Sequence, residues 1–238
     1  MNKIELWDIL AGRAIIPLTD EQHGLLHRYL DLLIEANQRM NLTRITDRAA
    51  AELNHVGDAL TLLPLLPTLI GTKVADVGTG GGVPGIPLAI ALPNVRVTLI
   101  ESTKKKAAFL TEAVAKLGLG NVNVLASRAE EAGAPDAATR ESFDVAIARA
   151  VATMDWLAEW CLPLVKKGGK MLAMKGPKVN DELPVAKKAI QLCGGGEPVV
   201  HAVDLPGTEH RVIVEIQKAG RTDKRFPRDP TVAKGKAL

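Results

Sequence analysis

Val74-Ala75-Asp76-Val77-Gly78-Thr79-Gly80-Gly81-Gly82-Val83-Pro84-Gly85-Ile86-Pro87 is the stretch on which the reading of this chain turns. A short apolar run enters it, five glycines interrupt it, and apolar residues leave it at helical spacing. Glycine lets the backbone approach a ligand closely and supplies positive φ. Proline is tolerated in a first helical turn because its missing N–H has no intrahelical partner there, so a helix is expected to open at Pro84. A merely tight turn between strand and helix needs one or two glycines, not five, and the stretch therefore reads as a ligand loop.

Working outward, short apolar runs alternate with helical ones. Residues 73–77, 95–101, 122–126, 143–148 and 170–175 are expected strands; 85–92, 104–117 and 154–165 are expected helices. Such alternation implies crossover units and a parallel sheet. Residues 198–205 and 210–217 flank Pro206-Gly207-Thr208-Glu209 and read as an antiparallel hairpin. Before the loop the pattern is helical. Thr19 with Gln22 forms a capping-box signature ahead of an apolar face from Leu25 to Ala36, and a second helical run spans 47–63, stopped by Pro64. The expected fold is α/β, Rossmann-like: a mostly parallel seven-stranded sheet with a C-terminal antiparallel hairpin and an N-terminal helical extension. Its expected division is a helical extension at 1–66, a ligand-binding core at 67–217 and a basic arm at 218–238.

Two glycine spacings coexist in the loop. Gly80-x-Gly82-x-x-Gly85 fits a dinucleotide fingerprint, in which a pyrophosphate sits on the helix N-terminus. Asp76-x-Gly78-x-Gly80-x-Gly82 places an acid two residues before the first glycine. An anionic side chain repels a pyrophosphate, whereas a ligand with an ammonium and a sulfonium, S-adenosylmethionine, gains from it. Glu101, 25 residues later at the end of the next expected strand, is placed to accept both ribose hydroxyls of an adenosine. Asp76, Gly78, Gly80 and Glu101 are thus expected cofactor residues, the other reading of each acid being a surface carboxylate at a strand end.

Composition narrows the field further. The chain has 238 residues, 47% apolar and 3% aromatic, enough to bury one good core. No apolar run reaches the ~20 residues of a membrane span, and no export signal is visible. Cys161 and Cys193 have neither disulfide-framework count nor metal spacing, so no metal site and a reduced, cytoplasmic setting are expected. The net charge of +3 is unevenly held: the last 21 residues carry seven Lys/Arg against two Asp/Glu. That end is either a solvated tail or an arm that touches phosphate.

The ordered set of motifs resembles a known family. Asp76 through Ile90, Glu101-Ser102 with Lys105-Lys106 and Phe109-Leu110, Ser127-Arg128-Ala129-Glu130, Ala148 through Ala152, and Lys175-Gly176 are similar to the bacterial small-subunit (16S) ribosomal RNA guanine-N7 methyltransferases, RsmG or GidB. Asn41-Leu42-Thr43, His55-x-x-Asp58-x-Leu60 and Lys224 through Arg228 are similar to it too, so the likeness covers nearly the whole chain. Val83 departs from it, standing where the family often has a bulky Phe or Leu. The resemblance implies a class I methyltransferase fold, S-adenosylmethionine as cofactor, and Gly78, Val83, Ala129, Glu130 and Arg149 at the cofactor. Read alone, Glu130 pairs with Glu131 as a surface acid, and Arg149 is open between a site residue and a structural ion pair.

Methylation of guanine N7 removes no proton, so no general base is expected and Arg149 is a candidate for positioning only. Consistently, the fourth strand is followed by Ala-Arg-Ala-Val-Ala, not by Asn/Asp-Pro-Pro-Tyr/Phe or Pro-Cys. Seven aromatic residues cannot build a base-stacking sheet. RNA contact is therefore expected through phosphate, from Arg128, Arg149, Lys166, Lys167, Lys175 and Lys178 near the carboxyl ends of the strands and from Lys224, Arg225 and Arg228 in the tail. Lys104 to Lys106 read as a solvated helix face, and His55 as a structural hydrogen-bonding residue. The expected partner is small-subunit ribosomal RNA or its particle, with no membrane and a monomeric enzyme. Two other functions compete: a nicotinamide-dependent oxidoreductase, and a nucleotide-binding assembly factor without turnover.

Overall fold

The computed structural model describes residues 3–208, 210–233, 235, 237 and 238, with side chains left aside at 3–5 and 230. Glu209 of the expected hairpin turn, and Lys234 and Lys236 of the expected basic arm, lie outside the described residues. The helices are α1 (Lys3–Gly12), α2 (Asp20–Asn37), α3 (Arg48–Ala51), α4 (Asp58–Leu60), α5 (Gly85–Ala91), α6 (Lys104–Leu117), α7 (Ala129–Ala132), α8 (Met154–Cys161), α9 (Val179–Leu192) and α10 (Pro230–Ala233). The strands are β1 (Lys73–Val77), β2 (Arg96–Ile100), β3 (Val122–Leu125), β4 (Phe143–Arg149), β5 (Val165–Lys175), β6 (Val199–Ala202) and β7 (Val212–Gln217). They form one seven-stranded sheet in the order β3-β2-β1-β4-β5-β7-β6. The pairs β2/β3, β1/β4 and β4/β5 are parallel; β5/β7 and β6/β7 are antiparallel.

The chain divides into two compact units, one holding everything up to Thr72 together with Thr79–Ala126, the other holding Lys73–Gly78 with the chain from Ser127 on. In the first unit, α2 begins with the expected capping box: the Gln22 N–H donates to Thr19 Oγ1 at 3.2 Å and the Thr19 N–H to Gln22 Oε1 at 2.8 Å. Its apolar stripe of Leu26, Tyr29, Leu30 and Leu33 is fully buried and packs on α5 and α6. The expected single helix over 47–63 is instead α3 and α4 joined by a π-helical turn, Glu52–Gly57. Inside that turn His55 is buried and its Nε2 lies 3.1 Å from Thr43 Oγ1, the structural role expected of it.

In the second unit β4 and the end of β5 are buried on both faces, as parallel central strands are. Two expectations are corrected. The helix over 154–165 ends at Cys161, because Pro163 turns the chain into a 3₁₀ segment, Leu162–Leu164. And β5 starts five residues earlier than 170, since Gly168, with φ +86°, and Gly169 form a bulge that resumes pairing with β4. Lys166 and Lys167 therefore stand at the start of β5 and not near its carboxyl end, and Lys166 pairs with Asp144 at 2.5 Å. Helix α9 was not anticipated, although Val179, Ala186, Ala189 and Ile190 form its buried stripe.

Residues 218–228, read from the sequence as the start of a basic arm, are tied down. Lys218 is buried, and its Nζ donates to the carbonyls of Leu162 at 2.6 Å and Cys193 at 3.0 Å and to Thr222 Oγ1. Arg140 donates to the Phe226 carbonyl at 2.8 Å and the Thr222 carbonyl at 2.9 Å, and the Phe226 ring is buried.

Candidate functional site

The glycine loop owes its shape to a few hydrogen bonds. Within the first unit the Thr79 N–H donates to the Ile100 carbonyl at 3.2 Å, the Gly82 N–H to the Thr79 carbonyl at 2.9 Å and the Ile86 N–H to the Gly82 carbonyl at 2.8 Å. Gly80 and Gly82 sit at φ +59° and +98°, where a side chain is strained. At Gly81 a Cβ would stand 2.6 Å from Leu33 Cδ1, so that buried side chain would have to shift. From the helical extension, the buried Tyr29 hydroxyl donates to the Gly81 carbonyl at 3.0 Å.

Glu101 stands beside this loop. It follows β2, is buried, and accepts the Gly80 N–H on Oε2 at 3.0 Å and the Thr103 N–H on Oε1 at 2.7 Å. The carboxylate is thereby fixed in orientation while each oxygen keeps a lone-pair site. Where a Cβ on Gly80 would project there is no atom within 4 Å, so bare backbone fronts open space beside that carboxylate. Val83 is half-buried just beyond. The structure thus brings Gly80 and Glu101 together.

In the second unit Asp76 is buried near the end of β1, in register with Ile147 of β4. Its charge adds to burial in pushing the Cys161 thiol up. Gly78 has φ +70°, is exposed, and a Cβ on it would meet Val151 Cγ2 at 2.9 Å. Arg149 ends β4, paired in register with Met174 of β5. Ala129 and Glu130 open α7 and are half-buried. Glu131, not Glu130, caps that turn: it accepts from the Arg128 N–H and the Ser127 hydroxyl, both at 3.0 Å, and these bonds hold its carboxyl below the usual range.

The basic residues part company. Arg128, Lys224 and Arg225 are exposed, Arg225 folded back on Asp223 at 2.9 Å. Lys175 is bound to Glu182 at 2.6 Å and Arg228 to the buried Glu159 at 2.6 Å, so both already neutralise carboxylates of this chain. Glu159 and Glu182 went unremarked in the sequence because an acid on a helix reads as solvated. Both cysteines are buried and free. Among the described residues no group of three or more His, Cys, Asp or Glu is arranged to hold a metal, and no helix is long and apolar enough to cross a membrane.

This sheet with its glycine loop defines the class I methyltransferase fold, and solved structures carry the same architecture. The chain is similar to a SAM dependent methyltransferase from Aquifex aeolicus, with a TM-score of 0.54 and 20% identity over 75% of this chain and 97% of that one. It is likewise similar to a SAM-dependent O-methyltransferase from Thermotoga maritima, with a TM-score of 0.54 and 16% identity over 80% and 73%. Within that fold, residues 22–212 match the family model GidB, described as rRNA small subunit methyltransferase G, and the chain belongs to this family. Relatives called Ribosomal RNA small subunit methyltransferase G include that of Pelotomaculum thermopropionicum, 44% identical over 94% of this chain and 93% of that one. That of Moorella thermoacetica is 45% identical over 90% of each chain.

Proposed function

We propose that this chain is a methyltransferase that moves a methyl group from S-adenosylmethionine to N7 of a guanine in small-subunit ribosomal RNA. The observation that carries the reading is the oriented Glu101 carboxylate beside the bare backbone of Gly80, in a chain of this family. Two lone pairs on one fixed carboxylate suit the two hydroxyls of a ribose. The cofactor, when bound, supplies an electrophilic methyl on a sulfonium. Asp76, which offers negative charge to an ammonium group, and Gly78, Val83, Ala129 and Glu130 would hold the rest of it. Arg149 is assigned a positioning role at the end of β4.

Guanine N7 attacks with a free lone pair and loses no proton, so the side chains orient and shield; none abstracts. Positive charge passes to the purine ring, which favours the carboxylates and RNA phosphates nearby. RNA contact falls to Arg128, Lys178, Lys224 and Arg225, exposed members of the predicted set, and to the basic end of the tail. Lys175 and Arg228 serve internal carboxylates. We assign the enzyme to the cytoplasm, as a monomer acting on the RNA or the small-subunit particle. The division into a helical extension at 1–66, a methyltransferase core at 67–217 and a C-terminal segment at 218–238 stays part of this proposal.

The test is incubation with methyl-labelled S-adenosylmethionine and either naked RNA or small subunits, followed by digestion to nucleosides. Label in 7-methylguanosine is expected. Cofactor binding without label in RNA favours an assembly factor, and binding of NAD in its place favours an oxidoreductase; either overturns the proposal.

A further inference from the structure

After β4 the chain makes a turn, residues 150–153. Ala150 has φ +54°, a left-handed conformation that strains a residue with a Cβ. Val151 follows it. Its two methyl groups stand 2.9 and 3.1 Å from where a Cβ on Gly78 would be, so the side chain rests on the first glycine of the ligand loop while remaining 37% exposed. An apolar, branched side chain that covers Gly78 and still faces outward is a wall for a flat ligand.

Something must hold the strained turn, and two side chains do. Lys175, at the end of β5, donates from Nζ to the Ala152 carbonyl at 2.9 Å and to Glu182 Oε2 at 2.6 Å. The same Glu182 oxygen, carried by α9, accepts the Met154 N–H at 2.9 Å. The turn is therefore gripped by the Ala152 carbonyl and by the first amide of α8 through one ion pair. Neither partner is freely solvated: the side chains of Lys175 and Glu182 are 11% and 18% exposed. Removing either leaves the other with an uncompensated, partly buried charge.

We propose that the Lys175–Glu182 pair is a positioning device for methyl transfer: it fixes the turn in its left-handed form, keeps Val151 against Gly78, and so sets the wall that aligns the target purine. This rests on the methyltransferase reading above. It also opposes the expectation that Lys175 contacts RNA phosphate, and the two roles separate experimentally. A positioning pair fails in the same way whichever member is removed, whereas a phosphate contact depends on Lys175 alone.

The experiment is steady-state methylation of small ribosomal subunits by the full chain with Lys175→Met, Glu182→Gln, the double variant and Lys175→Arg, alongside RNA binding at several salt concentrations. Each single variant is expected to lower kcat at least 10-fold, with KM for cofactor and RNA within threefold. The double variant should be no worse than either single one. Lys175→Arg should recover part of kcat, and the salt dependence of RNA binding should not change. Should Lys175→Met fail to melt cooperatively, the nearly isosteric Glu182→Gln carries the test, with faster hydrogen exchange expected at the amides of Val151 to Met154. Wild-type kcat in Glu182→Gln overturns the proposal, as does a Lys175→Met variant that raises KM for RNA and lowers the salt slope by about one phosphate contact's share. Wild-type protein that leaves rRNA unmethylated overturns the parent reading, whereas an active wild type with unaffected variants overturns this inference alone.

Discussion

Glu101→Gln isolates what the fixed carboxylate contributes. The side chain is buried, and its two oxygens take the Gly80 and Thr103 N–H groups at 3.0 and 2.7 Å. An amide of the same shape presents an oxygen to one of them and an NH₂ to the other. One hydrogen bond is lost and one buried donor is stranded, at about 1–3 kcal/mol. The surviving bond drops from charge-assisted to neutral, about another 1 kcal/mol. The sum, roughly 2–4 kcal/mol, corresponds on a chain of this size to a fall in Tm of roughly 5–15 °C. Because the same carboxylate is assigned to the ribose, cofactor affinity should fall by about 30-fold, the equivalent of about 2 kcal/mol. Scanning calorimetry and titration calorimetry read the two effects. Glu112→Gln is the control, since its carboxylate lies on the surface in an i,i+4 pair with Lys116 at 2.6 Å and should leave both readouts unchanged. A Glu101→Gln protein with Tm within 1 °C and affinity within about twofold of wild type would refute the reasoning.

Arg228→Ala removes the guanidinium that meets Glu159 at 2.8 and 2.6 Å, strands a buried carboxylate and should cost about 3–5 kcal/mol in urea unfolding, part of it restored by adding Glu159→Gln. Burial pulls the Lys218 ammonium down to about 8, so between that pH and the ordinary lysine range the unfolded chain binds the extra proton. Stability contributed at this position therefore rises with pH across that window, and wild type should gain on Lys218→Met by up to about 3 kcal/mol as pH goes from 8 to 10.5, measured as the difference between paired urea curves. The difference is needed because both cysteines act the opposite way: burial pushes the Cys193 thiol up to about 12 and Cys161 higher still, so the folded state keeps protons that the unfolded chain releases. For the same reason a disulfide reagent at pH 8 should find neither thiol in native protein and both after denaturation; a rapid native reaction would count against their burial.

The alternation of short apolar runs and amphipathic stretches gave the parallel strands and their helices, and the capping box at Thr19 and the glycine spacing were readable because each acts over a few residues. What escaped was non-local. Helix α9 has an apolar stripe, but it follows Gly176 and contains Pro184, and its register matters only once Glu182 meets Lys175. Lys175 and Arg228 look like surface cations in a linear sequence, and Lys218 like part of a floppy tail, because charge composition carries no information on which carboxylate or carbonyl lies opposite.

By itself the sequence determined the fold class and the glycine loop and singled out Asp76 and Glu101 as candidate acids beside it, since backbone freedom at glycine and the strand-to-helix pattern are local properties. Only the tertiary structure decided how those acids are held and which cations remain available for RNA. The physical reason is that a side chain's charge is spent or kept according to its partner across the fold: Glu101 is turned by two backbone amides, and Lys175, Arg228 and Lys218 are taken up by groups 4 to 69 positions away along the chain.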